Sequence, residues 1–287
     1  MTPEAAPTVA AVLEVATRRL RDAGVPDPRR EAASILALVL GTDRGGVVAR
    51  KPDSVDTGAA ARFAELIAAR ALRVPLQHLE GRAEFRGLEF EVSGDVLIPR
   101  PETEDLVQTV LDAGLPAAAR VADLGTGSGC IAVALAVERR SWQLVAVDLS
   151  AAALRVAARN AAKHGVADSI ALVESDFAAP EAAWHGAFDA VVSNPPYIPE
   201  AEWRGLAPEV RDHEPKGALV PGPTGNEAYE VIVHAAAVML RPGGLLAFEL
   251  GWKSEGAVRT MLVSSGFNEL TVRPDVQGIS RVLTARR

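Results

Sequence analysis

The stretch that decides the fold is residues 121–129, which read VADLGTGSG. Its first four residues are mostly apolar, as in a short buried strand, and helical spacing begins at Cys130. Glycines at 125, 127 and 129 let a strand-to-helix turn bend sharply and let its backbone approach a ligand that side chains would exclude. A tight turn without a ligand is the other interpretation, so the surrounding sequence must decide between the two.

After Arg120 the chain alternates between strand and helix patterns. Apolar runs predict strands at 121–124, 144–147, 170–173, 190–192 and 245–250, and helical spacing predicts helices at 130–139, 151–164 and 226–240. This alternation predicts a parallel sheet with helices on both faces. A helix at about 256–265 then precedes strands at 269–272 and 280–284, whose link is so short that they must be antiparallel. The predicted fold is α/β: a Rossmann-like seven-stranded sheet with an antiparallel terminal hairpin, which resembles the class I methyltransferase fold.

The residues before this sheet predict a separate, smaller unit. Helical spacing runs from Val9 to Leu72, with breaks at 24–28 and 41–46 where Gly and Pro interrupt it. Alternation towards Val92 predicts a strand pair with Arg86-Gly87 as its turn. We therefore predict a helical bundle at 1–80, a hairpin connector at 81–98 and the α/β domain at 99–287, whose first helix starts near Thr103.

Composition and charge argue against several classes of protein. The net charge of −7, with 27 Asp or Glu against 19 Lys or Arg after residue 80, argues against a protein that coats nucleic acid. The longest purely apolar run, 130–137, is far shorter than the roughly 18 residues of a membrane helix. One cysteine and five histidines without i, i+4 spacing predict no metal site. We expect a cytoplasmic monomer without metal, membrane or stable nucleic acid binding.

The glycine loop does not fit a dinucleotide fingerprint, because the third glycine would have to stand at position 130, where the chain has Cys. An acidic residue, a strand end and G-x-G-x-G instead resemble a loop that binds S-adenosylmethionine. Asp148 ends the next predicted strand, where its carboxylate can accept hydrogen bonds from both ribose hydroxyls. The alternative is that Asp148 caps the helix ahead of Ala151.

Asp176 and Phe177 follow the third predicted strand of the sheet. Asp176 can accept a hydrogen bond from an adenine amino group, and Phe177 can cover the face of the ring. A buried Phe beside a capping Asp is the more common explanation of such a pair.

The most specific motif is Asn194-Pro195-Pro196-Tyr197, directly after the fourth predicted strand. Ligands of open parallel sheets bind at the carboxyl ends of the strands, so we expect the motif to lie beside the glycine loop. The Asn194 side-chain oxygen and the Pro195 carbonyl can accept hydrogen bonds from a planar NH₂ group, and Tyr197 can stack on it. Such acceptors stabilise the positive charge that grows on nitrogen during methyl transfer. The alternative is a plain proline-rich loop packed over the sheet.

These motifs, together with Leu97-Ile-Pro-Arg-Pro-Glu-Thr-Glu, resemble the release factor glutamine methyltransferase family over nearly the whole chain. The resemblance implies methylation of the glutamine N5 in the Gly-Gly-Gln motif of class 1 peptide chain release factors, which modulates translation termination. It also implies S-adenosylmethionine as donor, S-adenosylhomocysteine as product, and substrate recognition by the helical bundle.

By the same resemblance, individual residues take on expected roles. The cofactor would be held by Gly125, Thr126, Gly127, Ser128, Gly129, Asp148, Asp176, Phe177 and Asn194. The glutamine would be bound by Asn194, Pro195, Pro196 and Tyr197, with Asn194, Pro195 and Tyr197 as the catalytic residues. The family often has an Asp-Trp-Phe or Asp-Leu-Phe run where this chain has Asp176-Phe177-Ala178. Arg100, Glu102 and Glu249 match family positions near the pocket, without an assigned role; Glu102 could cap a helix and Glu249 could be satisfied by backbone amides.

Three other functions compete with glutamine methylation. A nucleic acid adenine N6-methyltransferase could use the same Asn-Pro-Pro-Tyr motif, but it needs a basic cleft around a flipped base, and no Lys and Arg cluster follows Tyr197. A nicotinamide oxidoreductase is disfavoured by the glycine spacing. A release factor binding module without activity would need a degraded cofactor loop, and residues 121–129 show no sign of decay.

Overall fold

The chain divides into two compact units. The structure, a computed structural model, describes residues 6–275 and 277–287. Unit 1 takes the chain up to Gly81 together with Ala207–His213, and unit 2 takes Arg82–Leu206 and Glu214–Arg287. Each unit builds its own hydrophobic core.

Unit 1 is a bundle of helices. They are α1 (Val9–Asp22), α2 (Pro28–Leu40), α3 (Arg44–Ala49), α4 (Thr57–Ala71), α5 (Leu76–Glu80) and the short helix Pro208–His213, which is α9 in chain order. Leu20, Ile35, Leu36 and Phe63 are buried at its centre, as the helical spacing predicts.

The predicted break at 41–46 is wrong in its second half, because α3 already begins at Arg44. The reason is a capping bond: the Asp43 side chain accepts a hydrogen bond from the backbone N–H of Gly46 at 2.6 Å. A side-chain cap satisfies an N–H group that the first turn leaves without a partner, and this offsets the poor helix propensity of two glycines.

Unit 2 begins with the predicted hairpin. Strands β1 (Arg82–Phe85) and β2 (Leu88–Glu91) pair in antiparallel fashion. Arg86 and Gly87 form the turn with φ angles of 51° and 71°, and such positive angles match the twist of a two-residue hairpin.

The main sheet of unit 2 has seven strands in the order β5-β4-β3-β6-β7-β9-β8. The strands are β3 (Arg120–Leu124), β4 (Gln143–Asp148), β5 (Ile170–Glu174), β6 (Phe188–Ser193), β7 (Leu240–Glu249), β8 (Asn268–Pro274) and β9 (Ser280–Arg286). The first five are parallel, whereas β9 runs antiparallel to both β7 and β8. The predicted α/β fold with a terminal antiparallel hairpin is confirmed.

Helices cover both faces of the sheet. On one face lie α6 (Thr103–Asp112), α7 (Cys130–Glu138) and α8 (Ala151–Lys163), and on the other lie α10 (Glu227–Met239) and α11 (Glu255–Ser264). Within the described ranges, no helix is both long and apolar enough to span a bilayer.

Candidate active site

Four strand ends bring the predicted site residues to one edge of the sheet. The glycine loop follows β3, Asp148 ends β4, Asn194 follows β6 and Glu249 ends β7. The ends of β3 and β6 are tied together, because the buried Ser193 hydroxyl donates to the Leu124 carbonyl at 2.6 Å. This bond places the Asn194 motif beside the glycine loop, as predicted for an open parallel sheet.

The glycine loop needs its glycines for two different reasons. Gly125, Gly127 and Gly129 all have positive φ angles, of 74°, 56° and 79°. A Cβ atom at Gly129 would lie 3.0 Å from the Cβ of Ala157 on α8, so this glycine permits close packing. A Cβ atom at Gly125 or Gly127 would meet nothing within 4 Å. The backbone at these two positions therefore borders open space that a ligand can fill.

Asp148 links the end of β4 to the glycine loop. Its Oδ2 accepts a hydrogen bond from Gly127 N at 2.8 Å, and its Oδ1 accepts one from Ser150 N at 2.9 Å. The cap of α8 is Ser150, whose hydroxyl accepts a hydrogen bond from Ala153 N at 3.1 Å, so the capping interpretation of Asp148 is wrong. Each Asp148 oxygen keeps a lone pair for a further donor.

A cavity of about 350 Å³ opens at this edge of the sheet. The predicted site residues that line it are Gly125, Gly127, Asp148, Phe177, Asn194, Pro195 and Pro196. The remaining predicted site residues, Thr126, Ser128, Gly129, Asp176 and Tyr197, lie outside its lining. The lining includes no Lys or Arg among the described residues.

Three of those outer residues shape the loop. The Thr126 hydroxyl donates to Asp123 Oδ2 at 2.6 Å, the Ser128 carbonyl accepts a hydrogen bond from Asn160 at 2.9 Å, and Gly129 stands at the start of α7. Asp176 is exposed, and its Oδ1 accepts a hydrogen bond from Ala178 N at 2.9 Å. Its contact with adenine stays a prediction.

The buried Asp123 carboxyl has an unusual environment. Complete burial raises its pKa to about 7, although the hydrogen bond from Thr126 acts in the opposite direction. Its Oδ1 has no hydrogen-bond partner among the described residues. Asp123 does not line the cavity, and its hydrogen bond with Thr126 ties the end of β3 to the glycine loop.

The Asn194 amide is held from one side only. Its Nδ2 donates to Thr103 Oγ1 at 3.0 Å, while no described donor reaches its Oδ1. Nor does any described residue donate to the Pro195 carbonyl. These two oxygens thus have no hydrogen-bond donor among the described residues, and their role as an acceptor pair stays a prediction.

Tyr197 is not among the residues that line the cavity. Its hydroxyl lies 3.5 Å from Glu249 Oε1, at the long limit of a hydrogen bond. Its ring lies against Gly251, where a Cβ atom would approach Tyr197 Cδ2 to 2.8 Å. Burial raises the pKa of the Tyr197 phenol, and the negative charge of Glu249 raises it further. Tyr197 is therefore a neutral group with a fixed ring.

Glu249, which has no role assigned from the sequence, is held by side chains. Its carboxylate accepts hydrogen bonds from the Thr103 and Tyr197 hydroxyls, so the alternative that backbone amides satisfy it is wrong. Burial raises its pKa to about 7, although the Thr103 hydrogen bond lowers it. The only sequence signal was a Glu in an otherwise apolar strand, LLAFEL, and the partner Thr103 was predicted only as a helix start.

Arg100 has a structural partner, whereas the capping role considered for Glu102 is wrong. Arg100 Nη2 donates to the buried Glu214 carboxylate at 2.6 Å. Glu102 stands at the start of α6 but makes no capping hydrogen bond there. Within the described part of the chain, no group of His, Cys, Asp or Glu side chains is arranged to hold a metal ion.

Solved methyltransferases share this fold. A methyltransferase from Pyrococcus furiosus matches 70% of this chain and 90% of its own, with a TM-score of 0.51 and 19% identity. The hMettl16 catalytic domain, solved in complex with a 3′UTR hairpin, matches 77% of this chain and 81% of its own, with a TM-score of 0.54 and 19% identity. Together with the strand order, they define a class I methyltransferase fold.

The sequence relatives are more specific. The family model of the PrmC N-terminal domain matches residues 11–81, and that of the methyltransferase small domain matches residues 102–207. The release factor glutamine methyltransferase of Nitratidesulfovibrio vulgaris is 42% identical over 282 residues, or 98% of this chain and 95% of that protein. That of Cereibacter sphaeroides is 43% identical over 276 residues, or 96% of each. The chain belongs to the release factor glutamine methyltransferase family.

Proposed function

We propose that this protein transfers a methyl group from S-adenosylmethionine to the side-chain nitrogen of a glutamine, namely the one in the Gly-Gly-Gln motif of class 1 peptide chain release factors. The observation that carries the proposal is the pair of free acceptors, Asn194 Oδ1 and the Pro195 carbonyl, beside a glycine loop of the class I fold. Membership in the family supports this substrate.

The residues at the cavity fit the donor. The open space at Gly125 and Gly127 suits its methionine part, the spare lone pairs of Asp148 suit two ribose hydroxyls, and Phe177 borders the space that adenine would take. When bound, S-adenosylmethionine supplies an electrophilic methyl group on a sulfonium.

The acceptors determine how a glutamine amide would react. Asn194 Oδ1 and the Pro195 carbonyl accept one hydrogen bond each from the NH₂ group, which fixes its plane. Positive charge grows on the nitrogen during attack, and these two dipoles, already oriented, stabilise it. A strong base is unnecessary, because the nitrogen becomes acidic only once that charge has formed, and its proton can then pass to water. Tyr197, whose ring packs against Gly251, is proposed to stack on the amide plane.

Unit 1 is proposed to recognise the protein substrate, and a hollow on its surface supports this role. Helices α1 to α3 enclose about 500 Å³ with an apolar floor that includes Leu13, Ala33 and Val47. The rim carries Arg18, Arg21, Arg29 and Lys51 against the single acidic residue Glu14. A basic rim around an apolar floor suits an acidic amphipathic segment of the release factor. We name this surface the basic hollow.

A nucleic acid substrate is less well supported. An enzyme that holds a flipped base surrounds it with cationic side chains that contact phosphates. The described lining of the cavity contains Asp95 and Asp148 but no Lys or Arg. The charge at the site therefore favours a protein substrate.

The direct test is incubation with labelled S-adenosylmethionine and a recombinant class 1 release factor, followed by mass spectrometry of the Gly-Gly-Gln peptide. Duplex DNA and RNA hairpins are incubated under the same conditions as alternative substrates. We expect one added methyl group on the glutamine and no label on nucleic acid. Label on adenine with an unmodified release factor would overturn the proposal.

Asn194→Ala should lower turnover by on the order of 10² to 10³, because one of the two acceptors is lost. Affinity for the donor, measured by calorimetry, should change little. The matched control is Asn268→Ala, at an exposed position outside the site. Equal turnover in parent and Asn194→Ala would exclude the acceptor role of this residue.

A further inference from the structure

A chain of hydrogen bonds lies behind the Asn194 amide. Asn194 Nδ2 donates to Thr103 Oγ1 at 3.0 Å, and that hydroxyl lies 2.5 Å from Glu249 Oε2. Thr103 is 2% exposed and Glu249 is 1% exposed, so water does not compete for these groups. We name this chain the Asn194 relay.

When Glu249 is ionised, the hydrogen bonds among Asn194, Thr103 and Glu249 can run in one direction only. A carboxylate only accepts hydrogen bonds, and a hydroxyl has a single hydrogen to donate. The Thr103 hydroxyl therefore donates to Glu249, and Thr103 Oγ1 offers only lone pairs to Asn194. An amide faces a lone pair with its NH₂ group, which turns Asn194 Oδ1 to the opposite side.

We propose that Thr103 and Glu249 are positioning residues that fix the orientation of the Asn194 amide, so that its oxygen and not its NH₂ group meets the substrate. The inference rests on the proposed function, in which Asn194 Oδ1 accepts a hydrogen bond from the glutamine NH₂ group. A flipped Asn194 would place a donor against a donor, and the hydrogen bond would be lost.

The charge of Glu249 controls the relay. A protonated Glu249 donates to Thr103, whose own hydrogen then becomes available to Asn194 Oδ1, so the flipped amide is no longer disfavoured. Because burial raises the pKa of Glu249 to about 7, this change falls near neutral pH. The groups that face Glu249 are Glu102 ahead of α6, Cys130 on α7, Tyr197 after β6, Tyr229 on α10 and Arg281 on β9.

Two substitutions at Thr103 test the relay. Thr103→Val keeps the shape but removes the hydroxyl, and it should lower kcat about tenfold or more while donor affinity stays within about twofold. Thr103→Ser restores the hydroxyl and should recover most of the loss. Thr109→Val is the matched control, since this threonine lies on the same helix and its hydroxyl donates only to the Asp105 carbonyl.

The pH profile separates positioning from a merely structural role. Activity of the parent should be high above the pKa of Glu249 and fall as pH drops through about 7, where Glu249 gains a proton. Glu249→Gln cannot ionise, so this inflection should be absent in that variant. The buried Asp123 carboxyl has a pKa in the same range, so the comparison is repeated in an Asp123→Asn background, where an inflection that persists in Glu249→Gln would overturn the relay.

A spectroscopic readout needs no substrate at all. The chain has four asparagines, so selective ¹⁵N labelling yields few side-chain NH₂ signals, and Asn194→Ala identifies the relevant pair. In the parent the two NH₂ resonances of Asn194 should shift with pH around a midpoint near 7. In Thr103→Val these two resonances should not shift. A signal that does not respond in the parent would exclude the relay. Failure of methylation together with an intact titration would instead count against the proposed substrate.

Discussion

At the scale of single residues, Asp148 illustrates how one carboxylate can serve both the loop and a ligand. Its two oxygens already accept hydrogen bonds from Gly127 N and Ser150 N, so the side chain is held in place before any donor binds. A group that is already oriented loses little entropy when it binds a ligand. This makes Asp148 a strong candidate for the ribose contact.

Asp148→Ala should weaken binding of S-adenosylmethionine by roughly 1 to 3 kcal/mol, because the ribose bonds and the support of the loop are lost together. Isothermal titration calorimetry measures the effect directly. Asp168→Ala, at an exposed position after α8, serves as the control and should bind like the parent. If Asp148→Ala also binds like the parent, the carboxylate only stabilises the loop.

At the scale of secondary structure elements, α9 is the part whose place the sequence did not indicate. Its Glu209 accepts hydrogen bonds from Arg73 Nε at 2.7 Å and Arg73 Nη2 at 2.6 Å, and a third from Arg70 Nη2 at 2.8 Å. Arg70 is buried and also pairs with Glu31. These bonds join α9 to α4 and α2 within unit 1.

Glu209, Arg70 and Arg73 form what we call the Glu209 cluster. Glu209→Gln should lower the free energy of unfolding by about 1 to 2 kcal/mol at neutral pH. The expected effect is no larger because water at the edge of the cluster screens these charges. Burial alone would raise the pKa of Glu209, but the hydrogen bonds from Arg73 and Arg70 lower it to about 2. Since the folded pKa lies below the unfolded value of about 4.5, this stability is present above pH 4.5 and is lost as pH falls towards 2.

Urea denaturation of parent and Glu209→Gln at neutral and at acidic pH checks both parts of this expectation. The difference between the two proteins should shrink as the pH is lowered. Glu65→Gln is the matched control, because it breaks an exposed ion pair with Arg62 on α4 of the same unit and should change little. A pH-independent difference would show that the charge of Glu209 is not the cause.

The elements that could be predicted from the sequence are those with local signals. The strands of the sheet and the Arg86-Gly87 turn follow from apolar periodicity and turn chemistry, and the glycine loop follows from its spacing. The Asn194 relay and the Glu209 cluster could not be predicted in this way. Their partners are far apart in the sequence, 91 and 146 residues in the relay and 136 and 139 residues for Glu209. Only the folded backbone brings such pairs together.

At the scale of the whole molecule, charge is distributed unevenly along the chain. Residues 1–80 carry 11 Lys or Arg against 10 Asp or Glu, whereas the remainder carries 19 against 27. The near balance of the first part hides a local excess, because the basic hollow concentrates Arg18, Arg21, Arg29 and Lys51 on one surface of unit 1. An adjoining hollow adds Arg30 and Arg44. A local field of this kind attracts an acidic partner even though the protein has a net charge of −7.

The basic hollow should therefore affect the protein substrate and not the chemical step. Arg21→Glu combined with Arg29→Glu should raise KM for an intact release factor about five- to tenfold, because rim charges act mainly on association. The kcat for the release factor, and the activity on a short Gly-Gly-Gln peptide that lacks the rest of the release factor, should stay unchanged. Arg62→Glu, an exposed charge on α4 outside the hollow, is the control.

Added salt should raise KM for the parent and narrow its difference from the double variant, since exposed charges are screened. An equal loss of activity on peptide and release factor would place the effect on folding or on the active site, and an unchanged KM would exclude the hollow as the docking surface.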